Sequence, residues 1–120
     1  MNWLYVFIGG GLGAVMRYGI GVMCKPIAKS FPWATLASNM IACVVIGVLF
    51  AYHVRDNKSI WLLLAVGLCG GLSTFSAFSL ESVELFQQGN YRYALLNIGL
   101  SLVGCLACTA LAAKLFGHAS

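Results

Sequence analysis

From Ile60 to Phe86 the chain runs mostly apolar for 27 residues, and at its centre stands the stretch GGLSTFSAFS, Gly70 to Ser79. A membrane-crossing helix needs only about 20 residues, so the segment is long enough to cross a bilayer and still hold an irregularity. Two adjacent glycines followed by Ser73 and Thr74 weaken helix at that point. The spacing therefore predicts a helix broken at mid-membrane depth. Irregular backbone within a bilayer is tolerated only where protein buries it or where it lines a watery cavity, because each unsatisfied amide costs several kcal/mol in hydrocarbon. The break is accordingly the first candidate for a functional site.

Three more apolar segments flank this one, which makes composition decisive. With 61% hydrophobic and 8% charged residues and a mean hydropathy of +0.91, the 120-residue chain has too little polar surface for a soluble globule. We read one all-α membrane domain, 1–120, with spans at about 3–23, 34–54, 60–86 and 93–116. Four spans enclose a pore poorly by themselves, which predicts a homo-oligomer. The net charge of +4 is scattered, which suits lipid headgroups and gives no basic cluster for nucleic acid. No basic stretch precedes Trp3, so the first segment reads as a span rather than a cleaved signal. The five cysteines, Cys24, Cys43, Cys69, Cys105 and Cys108, mostly stand in apolar segments as small packing residues, and their odd number argues against a disulfide framework.

Span one carries Gly9 and Gly13 at G-x-x-x-G spacing among further glycines and reads as a close-packing helix; a nucleotide-binding loop would need a strand before it. Arg17 is the only charge in this span, and either snorkels to the interface or marks a site or vestibule. In span two, Thr35, Ser38, Asn39, Ala42, Cys43 and Gly47 recur at helical spacing on one inward face. The Asn39 amide must find partners there, either on a facing helix or in a permeating species. After the break, Phe75, Phe78, Ser79, Ser82 and Phe86 form an aromatic and hydroxyl stripe, with Phe86 read as packing and Glu81 as a vestibule residue. Gln87 to Asn90 reads as the turn. Span four repeats the pattern with Asn97, Ser101, Cys105 and Thr109 at four-residue steps. Trp3, Tyr5, Trp33, Tyr52, Trp61, Tyr91 and Tyr93 fall near span ends, as an aromatic belt requires.

Positive charges near the span ends nearly balance: Arg55, Lys58 and Lys114 fall on one side, and Lys25, Lys29 and Arg92 on the other, with Arg17 a fourth there if it reaches the interface. So small a bias does not fix orientation, which predicts insertion both ways and an antiparallel pair. The inward faces offer hydroxyls, an amide and phenyl edges, the positive part of the ring quadrupole. That lining suits a small anion, and residue chemistry alone does not name it.

The motifs G-A-V-M-R-Y in span one, L-A-S-N in span two, G-L-C-G-G-L-S-T-F-S-A-F-S in span three and G-N-Y at the turn resemble the CrcB/Fluc fluoride channels over essentially the whole chain. The resemblance implies a dual-topology homodimer with two antiparallel pores, multi-pass in the cell inner (plasma) membrane, that exports fluoride down its electrochemical gradient. It implies that Phe75 and Phe78 form the phenylalanine box, that Asn39 is the pore asparagine, and that Ser76 and Thr109, with Ser101 and Cys105 on the same face as Thr109, belong to the polar track. It further implies a structural sodium held by the backbone carbonyls of Gly70 and Ser73 from both copies. Ala77 and Cys105 depart from the pattern, where many members have Thr and Ser. A proton-coupled multidrug exporter would need an acid in span one, which has none. A non-transporting assembly subunit would not need donors on three helical faces, and an enzyme would need a convergent nucleophile, base and acid that the sequence lacks.

Overall fold

The computed structural model describes residues 1–26 and 31–117; Lys29, counted in the charge balance, lies outside the described residues. The described chain is all helical. In order come α1 (Asn2–Cys24), α2 (Trp33–Ala51), a 3-10 turn (Val54–Asp56), α3 (Lys58–Ile60), a π-helical stretch (Trp61–Cys69), α4 (Gly70–Leu72), α5 (Phe75–Gln87) and α6 (Tyr91–Gly117). Four helical segments, Asn2–Cys24, Trp33–Ala51, Lys58–Gln87 and Tyr91–Gly117, are long and apolar enough to cross a membrane. The molecule measures 47 × 31 × 21 Å, and its long dimension exceeds the roughly 30 Å hydrocarbon core of a bilayer.

Local chemistry sets the element ends. The second span was expected to run to residue 54, but α2 stops at Ala51 because His53 takes a left-handed conformation with φ 58° and turns the chain. Asn57 then accepts a hydrogen bond from the Ile60 amide at 3.3 Å and starts α3. At the end of α5, Gly89 has φ 81°, a conformation that favours glycine, and the amides of Gly89 and Asn90 bond the carbonyls of Phe86 and Leu85. This is a Schellman closure, and it forms the turn that Gln87–Asn90 led us to expect. The π-helical stretch was not expected.

Glycines set how closely the helices pack. A Cβ on Gly9 would strike the Leu63 carbonyl, and one on Gly13 the Leu68 carbonyl; on the facing element, a Cβ on Gly67 would come within 2.9 Å of the Gly9 Cα. The G-x-x-x-G face of α1 thus lies backbone to backbone on the π-helical stretch and α4. Gly71 belongs to this seam too, since a Cβ there would strike the Gly10 carbonyl. This corrects the attribution of the break to the paired glycines: Gly70 and Gly71 remain helical in α4, and Gly71 serves contact with α1.

The helices α2 and α6 run side by side in the same direction. Phe31 stacks near Tyr93, Met40 touches Gly104, Gly47 faces Thr109 and Ala112, and Tyr52 meets Phe116. The inward face read for α2 is the buried one, with Thr35, Ser38, Ala42 and Gly47 all buried. On α6 the buried positions are Ala94, Asn97, Ser101 and Ala112. The core cluster is Ala42, Leu49, Ala65, Cys69 and Leu72.

Candidate functional site

Between α4 and α5, Ser73 (φ −85°, ψ 154°) and Thr74 (φ −155°, ψ 118°) are extended, so two residues interrupt the helical run. In an uninterrupted helix the Thr74 amide would bond the Gly70 carbonyl. Instead it donates to Oδ1 of Asn39 at 2.7 Å, while Nδ2 of Asn39 donates to the Thr74 carbonyl at 3.2 Å. One side chain on α2 therefore takes both backbone groups of the extended residue. Sequence left Asn39 open between a facing helix and a permeating species; in the structure its amide binds the third span, with one Nδ2 hydrogen still uncommitted.

The hydroxyls complete the junction. Ser73 donates through Oγ to the Cys69 carbonyl at 2.7 Å and through its amide to the same oxygen at 2.9 Å. Thr74 caps α5 by accepting the Ala77 amide at 3.1 Å, and its Oγ1 lies 3.1 Å from Oγ of Ser76. On the other side, Nε of Arg17 donates to the Gly71 carbonyl at 3.1 Å. A guanidinium thus meets a last-turn carbonyl of α4, where a cation is favoured. Arg17 does not simply snorkel. It ties α1 to the end of the helical run.

Beside the junction is an open cavity of about 330 Å³, lined by Asn39, Cys43, Ser73, Thr74, Phe75, Phe78, Ser101, Leu102, Cys105 and Leu106. Phe75 and Phe78 stand with ring centroids 5.4 Å apart and planes at 50°. Their surroundings differ: Phe78 is 8% exposed and Phe75 74%. The cavity adjoins the first residues of α5, whose amides carry the positive end of the helix dipole. Two phenyl rings, an amide, thiols and a helix N-terminus offer an anion several weak donors and no fixed negative charge.

A second cavity, about 390 Å³, is lined by Arg17, Tyr18, Lys25, Thr35, Ser38, Ala77 and Glu81 among others. Thr35 donates to Oε2 of Glu81 at 2.9 Å, whereas Oε1 of Glu81 and the hydroxyl of Ser38 are buried without a partner. Arg17 and Glu81, both read as vestibule residues, thus line one cavity. Ala77 separates it from the phenylalanine pair by one side of α5.

Most of the site residues read from sequence converge. Asn39, Ser73, Phe75, Phe78, Ser101 and Cys105 share the first cavity. Ser76 is exposed at the start of α5, and Thr109 spends its hydroxyl on the Cys43 carbonyl at 3.2 Å, outside the cavity lining. Gly70 is exposed at the surface. The expected α5 stripe needs correction: the buried positions are Phe78, Ser82 and Leu85, so Leu85 and not Phe86 continues the packed face, and Phe86 stacks with Tyr91 at the turn. Asn97, read from sequence only as one of the polar positions of span four, is a hub: it is 1% exposed, its Nδ2 donates to Ser82 at 2.9 Å and its Oδ1 accepts from Ser101 at 3.5 Å. Its four-residue step to Ser101 was the available signal.

Comparison with known proteins agrees with this geometry. The family model of CrcB-like protein, Camphor Resistance (CrcB), matches residues 4–113. The fluoride-specific ion channel FluC of Klebsiella pneumoniae (strain 342) is 45% identical over 118 residues, covering 96% of this chain and 93% of that protein. FluC of Escherichia coli O139:H28 (strain E24377A / ETEC) is 45% identical over 116 residues, covering 94% and 91%.

Proposed function

The chain belongs to the CrcB family, and we propose that it is a fluoride-selective channel, passive and exporting, in the cell inner membrane. The observation that carries this reading is the convergence of Phe75, Phe78 and Asn39 on one cavity at the N-terminus of α5. Fluoride enters a cell as its weak acid, dissociates at neutral pH and is trapped as the ion. The membrane potential then suffices to expel it without coupling, and α1, where a proton-coupled exporter would carry its acid, holds neither Asp nor Glu. Fluoride binds water tightly, so a selective path must replace that water with close donors in a narrow bore. Ring edges, Cys105, the free hydrogen of Asn39 and the first amides of α5 are the donors this chain provides.

The antiparallel homodimer and its sodium belong to the same proposal. Because Asn39 takes the Thr74 amide, the Gly70 carbonyl lacks its helical donor, and Gly70 lies exposed with open space beside it. A carbonyl in that position inside a bilayer needs a partner. Hard oxygen donors suit a sodium ion, so the residues fit the group: the carbonyls of Gly70 and Ser73 from two copies would hold it, and it would supply the positive charge that joins them. The mid-membrane break and the near balance of flanking charges support pairing of oppositely oriented copies.

The test is efflux from liposomes containing only this protein, comparing fluoride with chloride under an imposed potential. Fluoride is expected to leave and chloride to stay. Absent fluoride flux, equal chloride flux, or full fluoride flux after Phe75→Ala and Phe78→Ala together defeats the reading.

A further inference from the structure

Two thiols stand in the first cavity, Cys43 from α2 and Cys105 from α6. The register of these helices brings them together. Met40 touches Gly104 and Gly47 faces Thr109 and Ala112, so Cys43 falls between those levels, and its carbonyl accepts the Thr109 hydroxyl one turn beyond Cys105. Both side chains thus border the same open cavity, one from each helix. Both thiols are free and half-buried, and both border the space through which the anion is proposed to pass.

We propose that Cys43 and Cys105 form a two-coordinate site for a soft, divalent d10 cation of the mercuric class, and that filling it closes the fluoride path. This rests on the reading of the first cavity as that path. Soft cations select thiolates over the hydroxyls and amide nearby, and two thiols bordering one cavity from different helices can bind such an ion from two sides. Among the described residues no cluster of three or more metal-ligating side chains exists, so ions that demand four ligands, zinc above all, are not served. Charge decides between valences. Each thiol releases its proton to water as a metal–sulfur bond forms, so one divalent ion and two thiolates leave a neutral S–M–S bridge. A neutral bridge avoids the penalty of a net charge in a low-dielectric interior. It also spans the cavity from α2 to α6, replacing donors with a metal too soft to hold fluoride well.

The experiment uses full-length protein in liposomes, in chloride-free medium, with mercuric nitrate as the probe and each variant's block referred to its own untreated fluoride flux. Micromolar mercuric ion is expected to reduce flux at least tenfold, with recovery on excess dithiol. Cys43→Ala and Cys105→Ser are each expected to raise the blocking concentration at least tenfold, whereas Cys24→Ala, Cys69→Ala and Cys108→Ala leave it unchanged. In parallel, metal content and free-thiol titration on the purified protein read the site without flux: one retained mercury consumes two thiols, and each of the two site variants loses that retained equivalent. Block undiminished in Cys43→Ala or Cys105→Ser, or one thiol consumed per mercury, overturns the proposal. If untreated protein passes no fluoride but the titration still shows the bridged pair, the path reading fails and the metal site stands.

Discussion

Asn39→Leu removes the side chain that holds the extended junction while nearly keeping its volume. Two hydrogen bonds disappear, 2.7 Å from the Thr74 amide and 3.2 Å to the Thr74 carbonyl. At a net ~0.5–1.5 kcal/mol each, the pair is worth roughly 1–3 kcal/mol. The freed amide has an alternative, because the Gly70 carbonyl one helical turn back is the partner it would have in an unbroken helix. Loss of the clamp therefore favours closure of the break more than unfolding. A shift of roughly 1–3 kcal/mol corresponds to about a 5- to 150-fold fall in the ratio of extended to helical Thr74. Fluoride efflux from liposomes should fall by a factor in that range, while the detergent-solubilised protein keeps its helical content and elution volume. Hydrogen exchange gives a second reading, since the Thr74 amide should become no less protected once it rejoins the helix. Efflux within twofold of the parent in a folded Asn39→Leu protein would refute the view that this amide holds the site open.

Gly71→Ala should depress expression and melting temperature, because its Cβ meets the Gly10 backbone and overpacking of this kind costs about 1–3 kcal/mol or more; Gly70→Ala, with nothing near its Cβ, should leave the melting temperature of the single chain unchanged, and equal losses at the two positions would contradict the packing described. Arg17→Met removes a charged hydrogen bond to the Gly71 carbonyl, worth about 1.5–3 kcal/mol, and should slow fluoride efflux about tenfold or more; unchanged efflux with unchanged melting would show that the contact is idle. Asn97→Leu strips the partner from the buried Ser82 hydroxyl, and at the ~0.6–1.7 kcal/mol measured for hydrogen bonds between membrane helices it should lower the melting temperature by a few degrees, as read by a thermal shift in detergent.

How much of this was legible depended on whether a residue's role is periodic or relational. Span positions and the inward faces of α2 and α6 follow from spacing, so Thr35, Ser38, Ala42, Gly47, Asn97 and Ser101 could be placed before any coordinates. The seam of Gly9 and Gly13 was equally readable, because a missing Cβ at four-residue spacing has one use in a membrane helix. Partners were not. That Arg17 binds the Gly71 carbonyl, or that Asn39 closes on Thr74, depends on the depth at which three helices cross. The π-helical stretch Trp61–Cys69 has no signature in WLLLAVGLC that separates it from an α-helix. The stripe through α5 was drawn from residue type, which took in Phe86 where the structure buries Leu85.

The two phenylalanines bear on the proposed pairing of two copies. Phe78 is packed, 8% exposed, but Phe75 stands 74% exposed on the same helix, and Gly70 is exposed as well. A phenyl ring can face lipid at little cost, whereas a carbonyl without its donor cannot. The hydrocarbon would therefore accept Phe75 as it stands and reject the backbone beside it, so burial of that backbone is the stronger demand for a partner. In the proposed pair, the second copy would bury that backbone. Within one copy, Asn39 and Arg17 already hold the junction from α2 and α1, leaving Phe75 and the free amide hydrogen of Asn39 at the edge of the cavity. In the proposed pair, shape is thus set by contacts inside each copy, while enclosure of the fluoride path is left to the contact between them.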